Sequence, residues 1–289
     1  ADFKGRGTSK GSSVSLGASD KNLDALSNGL VGYWKTDEAT WSGTLAEVVD
    51  SSGNANHGQA QGATGGKAYP TTGKFGNGGF FDGVDDYVQA TIIPAVTRTG
   101  TFTFSAWINT VTSSGTQTIF QNSNSASDRN GMNISGSTLS FGYYNGSTWT
   151  GASGTVSTNM WTHVVGVNNG STLSLYINGV LQTGTSQPYV GATANFYIGE
   201  TSTVGENYVF SGNIDEVRVY NRALSPAEVA QLYNWAPGPV AYWNLDEKTG
   251  TAANDRSGNG VTETLTNGPT WTMGKFGSAI NFDGTNYYL

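Results

Sequence analysis

The stretch WTHVVGVNNGSTLSLYINGV, residues 161–180, decides the architecture. WTHVVGV (161–167) and TLSLYINGV (172–180) are short apolar runs rich in Val, Ile, Leu and Thr, separated by Asn, Gly and Ser, which is the pattern of strands joined by turns. Asn178-Gly179 falls where one run gives way to the next. A two-residue hairpin turn needs positive φ at both central positions, and Asn-Gly adopts it at the least steric cost. The stretch therefore reads as antiparallel sheet built from hairpins.

The same grammar extends outward in both directions. FTFSAWI (102–108), STLSFGYY (137–144), NFYIGE (195–200) and NIDEVRVY (213–220) are further short runs spaced by Gly, Asn, Ser and Asp. Many short strands at regular spacing specify an antiparallel sandwich or a closed sheet. One helix is expected. Ser225 caps it, Pro226 takes the first helical position, Glu228 reaches back in a capping box, and Val229, Leu232 and Tyr233 follow at helical spacing.

Composition narrows the function classes. The 289 residues include 41 Gly, no Cys and only 12% charged residues, with 12% aromatic and a net charge of -7. Ordinary chains carry about 7% Gly and about 25% charged residues, so this is a turn-rich, aromatic-rich globular protein. Fourteen Lys and Arg against twenty-one Asp and Glu do not make the phosphate-neutralising surface that nucleic-acid binding needs. No apolar run approaches the roughly 18 residues of a membrane-spanning helix. Without Cys there is neither a disulfide framework nor a thiolate metal site. Residues 1–28, rich in Gly, Ser and Lys and lacking either apolar period, read as a flexible linker or tail.

An internal repeat organises the rest. VGYWKTDEAT at Val31 recurs as VAYWNLDEKT at Val240; Asp50-Ser-Ser-Gly-Asn54 recurs as Asp255-Arg-Ser-Gly-Asn259; Gly73-Lys-Phe-Gly76 with Phe81-Asp82-Gly83 recurs as Gly274-Lys-Phe-Gly277 with Phe282-Asp283-Gly284. Residues 29–236 thus form a complete unit, and 237–289 the N-terminal part of a second. A half-sandwich leaves open strand edges and an uncovered apolar face, so the second unit is expected to be completed by further chain or by a partner.

The motifs that carry a resemblance are YWKTDE (33–38), DSSGNANHG (50–58), FDGVDDYV (81–88), FSAWI (104–108), WTHVV (161–165), LYING (175–179) and IDEVRVYNRALS (214–225). In this order they resemble the laminin-G-like, concanavalin A-like jelly-roll family of secreted and surface proteins, fully over residues 30–235 and partly over 239–289. The resemblance implies an all-β fold, a two-sheet antiparallel jelly roll with one short C-terminal helix. It also implies a structural Ca2+ bridging the first and last strands.

Asp215 is the residue through which a metal is argued. Alternation places it with Val217 and Val219, and Ile214, Glu216, Arg218 and Tyr220 on the opposite face. If the valines face the core, Asp215 enters the sandwich edge as a carboxylate that needs a cation. The Asp50–Gly58 turn offers carboxylate, amide and carbonyl oxygens, the hard donors that Ca2+ collects at about six to eight coordination. Asp50, Asn54, Asn56 and Asp215 are the expected side-chain ligands, with His57 giving at most its carbonyl. The alternative is an Asx turn at Asp50 and Asn54, with Asp215 accepting backbone N–H bonds. Glu216 and Arg218 read as a solvated pair.

Catalysis finds no support in the pattern. No Glu-x-Asp-x-x-Glu string supplies paired carboxylates, no Ser stands in a Gly-x-Ser-x-Gly elbow, and His163 reads as a structural histidine within its strand. Sugar recognition, by contrast, uses aromatic platforms beside a few amide groups. Tyr143, Tyr144 and Trp149 surround the turn at Asn145–Thr148, and Trp41 lies in a loop longer than its counterpart in the second unit, so these four are the candidate ligand contacts. The alternative is that they fold back over the core. The expected function is a non-enzymatic, calcium-stabilised carbohydrate-binding or adhesion module of a secreted or cell-surface protein, with a glycan or surface glycoprotein as partner. A second reading is a subunit of an array or filament, in which neighbouring copies complete the second unit.

Overall fold

The structure is a computed structural model and describes residues 26–63, 65–90, 100–125, 128–144, 147, 149–186, 195–200, 208–235, 241–255, 262–275 and 277–289. The chain divides into two compact units, one of Lys21–Trp235 and one of Ala1–Asp20 with Ala236–Leu289. Of the expected tail, residues 1–25 lie outside the described residues.

The first unit is an antiparallel sandwich. Its strands are β1 (Leu30–Trp34), β2 (Gly58–Gln61), β3 (Tyr69–Thr72), β4 (Asn77–Asp82), β5 (Tyr87–Ala90), β6 (Phe102–Thr110), β7 (Thr116–Ser125) and β8 (Asp128–Ser135). There follow β9 (Thr138–Tyr144), β10 (Trp149–Thr155), β11 (Thr162–Asn168), β12 (Thr172–Ile177), β13 (Val180–Ser186), β14 (Asn195–Ile198), β15 (Ser211–Tyr220) and the helix α1 (Pro226–Asn234). One sheet runs β13-β12-β11-β6-β15-β4-β3, with β1 also on β15; the other runs β10-β9-β8-β7-β14-β5-β2. Neighbours distant in sequence, such as β6 and β15, are the jelly-roll crossovers that the motif order implied.

The local expectations explain the elements. Asn178 and Gly179 take φ of 50° and 77° and join β12 to β13 with Ile177 paired to Val180. Ser225 accepts from Glu228 N while the Glu228 carboxylate accepts from Ser225 N, and Pro226 opens the helix. The core lies between the sheets, where Phe102, Phe104, Phe120, Phe141 and Phe196 interlock and Trp34 stacks on Phe196 with centroids 5.4 Å apart. Each fully buried ring contributes about 1.5–3 kcal/mol over leaving it exposed. A second cluster seats α1, through Val229 and Leu232, on Val165, Val167, Tyr176 and Tyr220 of the outer face.

Strand β15 departs from the sequence reading. Its register against β6 slips between Asp215 and Arg218, and Glu216 sits at φ 56°. This bulge turns Ile214, Val217 and Val219 all into the core, so Asp215 does not share the face of the valines. A period-two reading assumes an unbroken pleat, and one extra residue resets it.

The second unit contains β16 (Ala252–Ala253), β17 (Glu263–Thr264), β18 (Thr270–Met273) and β19 (Ser278–Asn281), paired β16 with β17 and β18 with β19. Among the described residues no helix is long and apolar enough to cross a membrane.

Candidate functional site

The outer face of the sheet that contains β7–β10 carries a pocket of about 300 Å3. Register builds it. Gly131, Gly142 and Gly151 lie side by side across β8, β9 and β10, and a Cβ at any of them would come within 2.1–2.3 Å of a neighbouring strand's carbonyl oxygen. The three therefore leave a strip of sheet without side chains. On one side of the strip Trp149 pairs with Tyr144 across β10 and β9. On the other lie Asn133, paired with Ser140, and Ser135, with Thr116, Thr118 and Tyr208 completing the wall. Gln121 joins the lining, only 3% exposed.

Two donors in this lining have no hydrogen-bond partner among the described residues, the Gln121 side-chain N–H2 and the Trp149 indole N–H. A buried donor left unsatisfied costs about 1–3 kcal/mol, so each is poised for an acceptor oxygen from a ligand. None of the described lining residues carries a charge. The chemistry offered is stacking on aromatic faces plus neutral donors and acceptors.

Of the four expected ligand contacts, the structure brings Tyr144 and Trp149 together and separates the others. Tyr143 points into the core, one residue out of phase with Tyr144. Trp41 is also in the core, its indole N–H donating to Glu38 Oε2 at 3.0 Å, with Gly79 making room for its ring. The turn between Tyr144 and Trp149 lies largely outside the described residues. Sequence reasoning missed Gln121 and the glycine row. Each glycine reads singly as a turn former or a weak strand residue, and only the registers of three strands align them.

The residues expected to hold Ca2+ are engaged otherwise. Asp50 Oδ1 accepts from Tyr33 N and Ser52 N, both at 2.8 Å, and Oδ2 from Ser52 Oγ at 2.8 Å and Asn56 N at 2.9 Å. That uses the acceptor capacity of a carboxylate. Asn54 and Asn56 donate to the Leu30 and Val31 carbonyls and staple the loop to β1. Asp215 accepts from Lys74 N at 2.8 Å and Phe75 N at 3.0 Å, and Thr36 Oγ1 donates to it at 3.3 Å. Burial pushes its pKa up to about 7, against the pull of those N–H groups. Among the described residues no group of three or more His, Cys, Asp or Glu gathers around a common point. N–H donors aimed at carboxylates hold anions, and this set does not fit the calcium that the resemblance implies.

The outer face of the other sheet holds a second polar cluster. Glu216 and Arg218, expected in solvent, are instead a buried pair at 2.6 Å with side chains 2% and 5% exposed. The bulge at Glu216 brings both to the same place. The Arg218 guanidinium lies between the rings of Tyr33 and Trp235, 4.2 and 4.3 Å from their centroids, and the Tyr33 hydroxyl donates to Glu216. Burial raises the pKa of Glu216, and Arg218 opposes it. His163 is wholly buried here, its Nε2 3.0 Å from Ser105 Oγ, and burial pushes it down to about 3. It is a structural histidine, tilted against Trp107 and Tyr233.

Two facing antiparallel sheets with long crossovers and a capped helix define a jelly roll of the lectin and glucanase type. The Laminin_G_3 profile, described as the concanavalin A-like lectin/glucanases superfamily, matches residues 82–230. The chain belongs to that family.

No curated protein matches the chain. Among solved structures it is similar to domain 4 of AbnA, a GH43 extracellular arabinanase from Geobacillus stearothermophilus in complex with arabinotriose. The identity is 21% and the TM-score 0.58, over 71% of this chain and 98% of that one. It is also similar to the botulinum neurotoxin serotype D ligand binding domain in complex with N-acetylneuraminic acid, at 15% identity and TM-score 0.56, over 74% and 52%. A Trypanosoma rangeli sialidase in complex with 2,3-difluorosialic acid gives 17% identity and TM-score 0.52, over 71% and 32%. The chain thus spans about half of the toxin domain and a third of the sialidase, and at these identities the likeness is one of fold.

Proposed function

We propose that this chain is a non-catalytic carbohydrate-binding or adhesion module of a secreted or cell-surface protein, and that its glycan sits in the pocket beside Tyr144 and Trp149. One observation carries the reading. The pocket pairs a cross-strand aromatic wall with two buried donors, on Gln121 and Trp149, that have no partner among the described residues. A sugar presents both complements, a flat C–H face for the rings and a dense set of hydroxyl oxygens for the donors. The described lining holds no carboxylate, whereas glycoside hydrolysis uses two, which favours binding without turnover. The arabinotriose and N-acetylneuraminic acid complexes of the fold relatives are consistent with a sugar ligand.

The test is a glycan array followed by titration of the strongest hit. Trp149→Phe keeps a ring and removes the indole donor; Gln121→Leu removes the buried amide. Each is expected to weaken binding about tenfold, the equivalent of one lost hydrogen bond, with no loss of melting temperature. An array without hits, or binding indifferent to both substitutions, overturns the proposal.

A further inference from the structure

One row of residues crosses every strand of the sheet that runs from β10 to β2. Gly151 is in register with Gly142, Gly142 with Gly131 and Gly131 with Gln121. The row continues from Gln121 to Tyr197, from Tyr197 to Gln89 and from Gln89 to Gln59. Residues directly opposite one another in paired strands share a face. Here it is the outer face, because Phe196 and Ile198 on either side of Tyr197, and Val88 and Ala90 on either side of Gln89, all enter the core. From the β10 edge the row thus presents bare glycines, an amide, a phenol ring and a second amide.

The pocket beside Trp149 occupies only part of this row. Its described lining stops at Gln121 on β7, while the row runs on over β14 and β5, where Tyr197 and Gln89 are half-buried and keep surface open to solvent. The Tyr87 ring, two residues before Gln89 and on the same face, lies tilted against the Tyr197 ring with centroids 6.1 Å apart. Asn195 Nδ2 donates to the Tyr197 hydroxyl at 3.3 Å and steadies that ring. The far end is occupied by the protein itself, since the Gln59 amide donates to the Gly43 carbonyl at 2.6 Å. Two aromatic stations therefore stand on one track, Trp149 with Tyr144 on β10 and β9, and Tyr197 with Tyr87 on β14 and β5. The buried Gln121 N–H2, without a partner among the described residues, lies on β7 between them. Neighbouring strands are about 4.8 Å apart, so four spacings put the stations about 19 Å from each other.

We infer that the ligand is a linear oligosaccharide or polysaccharide lying across the strands, and that Tyr197, Tyr87 and Gln89 form a second subsite for it. The inference rests on the glycan reading of the pocket and names the class of glycan. A single sugar ring covers one station and leaves the other empty, whereas a linear chain of several rings reaches both. The glycine strip lets such a chain lie down on the sheet, because no side chain rises from β8, β9 or β10 along the row. Rings in the second subsite then bind at the effective concentration set by their link to the first, so affinity grows with chain length until both stations are covered.

Calorimetric titration of the full chain with linear xylo-, cello-, manno- and arabino-oligosaccharides, from mono- to hexasaccharide, tests this. In the series that binds, the hexasaccharide is expected to bind about tenfold or more tightly than the disaccharide. Tyr197→Ala should weaken hexasaccharide binding about tenfold, and Gln89→Ala should act in the same direction. Both should leave disaccharide binding and the melting temperature unchanged, since both side chains are half-exposed on the sheet surface. Trp149→Phe should weaken long and short ligands alike. Affinity independent of chain length that still falls with Trp149→Phe overturns the second subsite and leaves the pocket standing. Hexasaccharide binding indifferent to Tyr197→Ala and Gln89→Ala, or array binding confined to branched or terminal sugars, has the same consequence. Absence of binding in every series and on the array overturns both readings.

Discussion

Replacing Glu216 by Gln removes one charge from a pair that the first unit has sealed. Arg218 would keep its place between the Tyr33 and Trp235 rings and lose its counter-ion, with both side chains at most 5% exposed. A solvent-exposed pair contributes about 0.2–1 kcal/mol, whereas breaking a buried one costs about 3–5 kcal/mol because the remaining charge is stranded. The two rings soften that cost, since a desolvated cation–π contact contributes about 2 kcal/mol, but they already act in the intact protein and cannot replace the carboxylate. For a unit of this size the expected fall in melting temperature is roughly 6–20 °C. The assay is urea unfolding of the wild type, Glu216→Gln, Arg218→Met and the double variant, followed by tryptophan fluorescence. Both single variants should lose about 3 kcal/mol or more, and the double variant should recover most of it, because two neutral side chains leave nothing unpaired. Single-variant losses below about 1 kcal/mol with simple additivity would show that the pair behaves as a solvated one, and the burial argument would fail.

Two further outcomes follow. Because the Asp50 and Asp215 carboxylates are held by N–H donors, removing calcium with a chelator should leave the melting temperature unchanged. A folded-state ligand must stabilise by mass action, so a clear drop would restore the metal. His163 gives the second. Its folded pKa, about 3, lies below its ordinary 6.5, so the stability it contributes is full above about pH 6.5 and is lost as pH falls toward 3. Asp215, raised to about 7, runs the opposite way, adding stability as pH falls from there. The informative quantity is therefore the difference between wild type and His163→Phe. It should shift against the wild type by about 1.4 kcal/mol per pH unit below 6.5, and a difference flat between pH 7 and 4 would refute the assignment.

What the sequence by itself determined is whatever a few neighbouring residues settle. Asn178-Gly179 specified a hairpin because few other pairs adopt its two positive φ values cheaply. Ser225, Pro226 and Glu228 specified where a helix starts, because the cap, the fixed φ and the returning carboxylate all lie within one turn. Short alternating strands specified an antiparallel sandwich or a closed sheet, and the resemblance of the ordered motifs implied the two-sheet jelly roll and its family. What only the tertiary structure decided depends on residues far apart in the chain. The bulge at Glu216 arises where β15 crosses β6, and no Gly or Asn announces it. It moved Asp215 off the valine face and buried the Glu216–Arg218 pair. Tyr143 and Tyr144 are chemically alike and adjacent, and only the pleat of β9 sends one into the core and the other into the pocket. Trp41 reads as a loop aromatic until Gly79, thirty-eight positions on, provides space for its ring. The pocket itself exists because the registers of β7 to β10 set three glycines, one glutamine and one aromatic pair side by side, and register is a property of strands in contact.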